Sequence, residues 1–165
     1  MDKISEDIIR FWGDSLKKID GKLFKESLLS KETIEFLIRV GLPIDNDVLI
    51  NFKNSSEIKE NDKFITIGDD FGTQIGIHQN TNEIISFDST NELPQRFINT
   101  NIKSLLQFLM IYIDNQLRLA DAADEEAVEI VNRVREEYTK IDEHALADDE
   151  NWWSVILEQT EEGFM

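Results

Sequence analysis

Two histidines and no cysteine leave this chain few ways to make or break bonds. Without cysteine there is no thiolate nucleophile, no thiolate metal ligand and no disulfide. His78 and His144 lie far apart, and neither stands in an HExxH array or a similar ligand spacing. His78 ends a strand-like run, which points to a structural or surface role, and His144 lies in an acidic, solvated linker. No GxSxG elbow, phosphate loop or dinucleotide fingerprint occurs. The most pointed motif is Gly68-Asp69-Asp70-Phe71-Gly72. Two carboxylates between glycines suggest a cation site. An EF-hand loop, however, needs a glutamate at its twelfth position, and counting from Asp69 that place holds Asn80. The motif reads more simply as a tight turn between strands, with its glycines supplying the unusual backbone angles. The expectation is a non-enzyme, with no catalytic residue, no metal and no cofactor.

What remains is the chemistry of binding. Net charge is −17, and residues 121–165, with 15 acids and 3 bases, carry −12 of it. Such a chain repels nucleic acid and anionic membranes and attracts basic partners. Within that segment Asp121, Asp124, Glu125, Glu126, Glu129, Glu136 and Glu137 form one candidate partner surface. Asp69 and Asp70 form a second, separate one. Tryptophan is enriched at binding hot spots. Trp152 and Trp153 point about 100° apart on a helix. One of them is therefore expected to be partly exposed beside the acidic surface, as an aromatic anchor. The plainer alternative is that the acids only keep the chain soluble.

The elements that would position these groups follow from periodicity. Residues 4–19 read as an amphipathic helix, through Ile4, Ile8, Phe11, Trp12, Leu16 and Ile19. A second helix starts at an N-cap, Ser30, and stops at Gly41 before Pro43. Residues 47–53, 63–68, 73–78, 83–88 and 95–99 read as strands. Residues 79–82 make a hairpin turn, with asparagines that tolerate left-handed backbone. A long, strongly apolar helix begins near Ile102, capped by Thr100 or Asn101, and 124–141 forms another. Asp148 is placed to cap a last one. Helices, then antiparallel strands, then helices argue for α+β rather than a parallel α/β sheet. Phe36, Leu37, Ile65, Ile67, Leu105, Phe108 and Leu109 are the expected core. No run reaches the roughly 20 apolar residues of a membrane span, and residues 1–21 hold no signal-peptide h-region. A cytoplasmic location is expected.

Residues 32–43 (ETIEFLIRVGLP) resemble the helix and "GLP" turn of the SUKH superfamily, the SMI/KNR-like proteins. The strand from Phe64 to Gly68, followed by Asp69 and Gly72, is similar to its strand–Gly–Asp–Gly turn. Residues 75–87 resemble its hairpin, and 97–109 (FINTNIKSLLQFL) its strand, cap and long helix. The similarity covers residues 30–117, is weaker around 152–157, and is nearest the subgroup associated with deaminase toxins. His78-Gln79-Asn80 and Asn82-Glu83 stand where the family often has an Asp after the first hairpin strand and a Gly at the turn. The resemblance implies a SUKH-like, antiparallel-dominated sheet covered by helices, with an acidic helical C-terminal segment. It implies a single domain over 1–165, divided into an N-terminal helical region (1–29), a core (30–117) and an acidic extension (118–165). It further implies a bacterial immunity protein that binds and neutralises a polymorphic toxin, a nuclease or deaminase, with no direct contact to nucleic acid. The alternative is a cytosolic regulatory or scaffold domain with a non-toxin partner.

Overall fold

The computed structural model describes residues 1–45, 48–90 and 92–163. Its helices are α1 (Lys3–Trp12), α2 (Lys31–Arg39), α3 (Ile102–Ala120), α4 (Asp124–Ile141) and α5 (Trp152–Glu161). Its strands are β1 (Leu16–Lys17), β2 (Leu42–Pro43), β3 (Asn51–Phe52), β4 (Lys59–Glu60), β5 (Phe64–Asp69), β6 (Gln74–His78), β7 (Ile84–Phe87) and β8 (Arg96–Asn99). The main sheet runs β3-β5-β6-β7-β8, with β4 also pairing with β5, and every pairing is antiparallel. The α+β architecture is therefore the one its residue pattern predicts.

One sheet face is aliphatic. Ile65, Ile67, Ile75, Ile77, Ile84 and Ile98 are buried with Leu105, Phe108 and Leu109 of α3 in one cluster, which extends from Ile8 to Leu157. All seven expected core residues are buried. The other face carries Phe64 stacked on Phe87, centroids 4.3 Å apart, with His78 edge-on to Phe64. The Nδ1 of His78 accepts the Asn80 amide (3.2 Å), so this histidine shapes the hairpin. Asn82 takes the left-handed conformation there, at φ 65°.

Capping explains most helix starts. Ser30 Oγ accepts from Thr33 N (3.2 Å) and Asn101 Oδ1 from Ser104 N (2.9 Å). Asp2 Oδ1 accepts from Ser5 N (2.8 Å), and the same carboxylate pairs with Lys103 of α3. The last helix starts after Asn151, whose side chain makes no capping bond, and the Asp148 carboxylate turns the preceding loop by accepting from Glu150 N (2.8 Å).

Two elements differ in extent from expectation. The first helix ends at Trp12, because Gly13 enters at φ 53°, and Leu16 then belongs to β1 instead. β1 pairs with β2 beside Gly41 (φ 91°), where a Cβ would lie 2.2 Å from the Lys17 carbonyl. Only glycine allows that approach. The strand expected over 47–53 shrinks to Asn51–Phe52. Leu49 is left-handed, at φ 65°, which breaks extension, and Asp47 lies outside the described residues.

Candidate partner-binding groove

The Gly-Asp-Asp-Phe-Gly motif is the turn from β5 to β6, and its two carboxylates shape it. Asp69 Oδ1 accepts the Phe71 amide (3.0 Å), and its Oδ2 meets Lys53 Nζ at 3.1 Å. Asp70 Oδ1 accepts the amides of Gly72 (3.1 Å) and Thr73 (2.6 Å) and the Thr73 hydroxyl (3.0 Å). The left-handed residue is not a glycine, as expected from sequence, but Phe71, at φ 68°. A bulky side chain rarely accepts that conformation. Phe71 is 74% exposed, so burial of its ring offsets little of the strain.

Burial works against ionisation of Asp69, but the Phe71 amide and the Lys53 ammonium outweigh it and hold the carboxyl below its ordinary range. A depressed aspartate stabilises the fold above its unfolded pKa, and that contribution disappears as pH falls through the folded value. The Phe71 amide resonance should therefore titrate with a midpoint below about 3.9, the usual aspartate value. A midpoint at or above that value would remove Asp69 as its partner.

A second loop faces the turn. Asp88 closes it by accepting Thr90 N (3.0 Å), the Thr90 hydroxyl (2.9 Å) and Leu93 N (3.1 Å). Those bonds lower the pKa of Asp88 and present Leu93 at 57% exposure. The third wall is α5. Trp152 Nε1 donates to Asp70 Oδ2 at 2.9 Å, which joins the turn to the helix across 82 residues of sequence. Arg96 reaches over from β8 and donates to the Glu150 carbonyl, with the Glu150 carboxylate 3.4 Å away. Between these walls lies a groove of about 530 Å³, lined by Asp70, Phe71, Leu93, Arg96, Trp152 and Ile156 among others.

The sequence-derived candidates thus regroup. Trp152 joins Asp70 rather than the acids of α4. Both tryptophans are buried, Trp152 at 4% and Trp153 at 0%, so the expectation that one is partly exposed fails. The 100° between them is met by two different walls. Trp153 enters the aromatic core with Phe108, Tyr112 and Tyr138, its Nε1 donating to Asn99 Oδ1 at 2.9 Å. Asp121, Asp124, Glu125, Glu126, Glu129, Glu136 and Glu137 are all exposed. Asp124, Glu125 and Glu126 occupy the first turn of α4, where carboxylates complement the helix dipole. α4 meets α5 through its later half, by Arg135–Glu161 (2.8 Å) and Tyr138 against Trp153. The first-turn acids lie at the other end of a helix about 27 Å long.

Residue patterns missed Phe71, Leu93 and Arg96. Phe71 carried one signal: a large apolar residue at the apex of a turn, outside any strand or helix periodicity. Among the described residues, no group of three or more His, Asp or Glu side chains converges as a metal site. No helix among them is long and apolar enough to cross a membrane.

A family model described as "SUKH-4 immunity protein" matches residues 8–159. No curated protein and no solved structure matches the chain.

Proposed function

This chain belongs to the SUKH-4 immunity protein family, and we propose that it neutralises a basic, nucleic-acid-targeting toxin, a nuclease or deaminase, by one-to-one binding in the cytoplasm. The carrying observation is charge. A net charge of −17 complements a protein surface built to hold phosphates. Opposite fields steer such partners together and speed encounter. Residues 1–165 act as one binding unit in this reading, because the core cluster draws on the N-terminal helix, the sheet and the acidic C-terminal helices alike.

The test uses the product of the adjacent gene as the candidate toxin. The immunity protein should protect cells expressing the toxin and titrate the purified toxin at a ratio of one to one. The association rate should fall roughly tenfold or more between low and high salt. Absence of both protection and complex would refute the proposed neutralisation. Protection with a salt-independent rate would refute the basic partner.

A further inference from the structure

We propose that the groove between the Phe71 turn, the Leu93 loop and α5 is the docking site for a cation-flanked apolar segment of the toxin. The partner's identity rests on the immunity reading; the chemistry of the segment comes from the groove itself.

The groove has an apolar floor and a charged rim. Trp152 and Ile156 line its helical wall, and Phe71 and Leu93 stand exposed on two lips. An aromatic or long aliphatic side chain entering between them would cover both and displace the water against them. Asp70 and Arg96 line the groove, and the chain segments that form its walls also carry Asp69, Asp88, Glu92 and Glu150, while Lys53 pairs with Asp69. Both cations are already paired within the chain, Lys53 with Asp69 and Arg96 with Glu150. The surplus is negative, so the flanking residues of an incoming segment are Lys or Arg.

Phe71 adds an independent argument. Its left-handed backbone is held by two carboxylates, yet its side chain stays 74% exposed. Glycine would occupy this position without strain. A strained residue that leaves most of its ring in solvent is explained by a contact made outside the chain.

The experiment pairs a defined probe with the toxin. The probe is a blocked Arg-Phe-Leu-Arg peptide, with Glu-Phe-Leu-Glu as its control, and the readout is the Trp152 indole N–H resonance. The cationic peptide should shift that resonance, the acidic one should not, and the shift should vanish in Phe71→Gly. Because glycine relieves the backbone, Phe71→Gly should melt at or above the wild-type temperature, so lost binding cannot be put down to misfolding. Against the toxin, Phe71→Gly and Leu93→Ser should each weaken affinity at least tenfold, and Glu92→Lys should slow association. The Glu125→Gln, Glu126→Gln, Glu129→Gln triple variant should stay within twofold of wild type. An unshifted Trp152 resonance overturns the proposal. Groove variants that bind toxin like wild type overturn it too, with or without a loss in the α4 variant. A wild-type protein that ignores the toxin but takes the cationic peptide refutes the toxin reading and upholds the groove chemistry.

Discussion

Replacing Phe108 with alanine should lower stability by about 3–5 kcal/mol. Phe108 is fully buried in α3, and its ring stacks on Tyr138 of α4 with centroids 3.7 Å apart and planes inclined by 12°. Trp153 of α5 closes on the ring at 5.6 Å. One side chain therefore touches both acidic-segment helices, and truncation leaves a cavity where three elements meet. The effect is one of packing, because the hydrogen bond from the Tyr138 hydroxyl goes to the Phe108 backbone carbonyl (2.8 Å) and survives the change. The loss is a large share of a typical total of roughly 5–15 kcal/mol. Denaturant unfolding with linear extrapolation measures it directly. A midpoint equal to wild type would mean that Phe108 does not hold α4 and α5 to the sheet.

Asp142→Ala should cost about 3 kcal/mol, for a different reason. Asp142 is a buried carboxylate without a cationic partner among the described residues. Its Oδ2 accepts from Asn99 Nδ2 (3.1 Å), Thr100 N (2.7 Å) and Ser104 Oγ (3.2 Å), and its Oδ1 from Thr100 Oγ1 (2.7 Å). These donors cluster at the start of α3, where the helix dipole also favours negative charge. Alanine would leave the Thr100 amide and the Asn99 amide group facing an apolar methyl. Asn99 in turn orients Trp153, so the damage spreads to the aromatic core. Glu129→Ala, on the exposed face of α4, should stay within about 0.5 kcal/mol of wild type. Asp142→Ala indistinguishable from Glu129→Ala in an unfolding titration would reduce Asp142 to a surface acid.

The contrast between these two acids shows where residue patterns carry information and where they do not. The apolar period of α3, the Ser30 and Asn101 caps and the hairpin strands were legible because each depends on neighbours three or four residues away, or on alternation along one strand. Asp142 looked like any other acid in the C-terminal run; only the fold brings Asn99, Thr100 and Ser104 around it. The groove divides in the same way. Asp69, Asp70 and Trp152 were each visible as candidates, but their union depends on a bond spanning 82 residues. No local pattern links Phe71 to Leu93. The apolar period of the first helix continues past Gly13, whereas its helical backbone, turned at φ 53°, does not.

The strand order has a kinetic consequence. β5, β6, β7 and β8 are neighbours in both sequence and space, so each pairing closes only a short loop. Short closures lose little chain entropy, and low contact order favours rapid formation. The Asp70–Trp152 and Asn99–Trp153 bonds span 82 and 54 residues and belong to a later stage of assembly. The sheet should accordingly form the nucleus, with α5 docking on it near the end. By the same logic α5 should detach in a partial opening that costs less than global unfolding, while the meander stays paired. The wall that carries Trp152 would then be the least durable part of the native state, and a ligand seated against it would slow amide exchange there most.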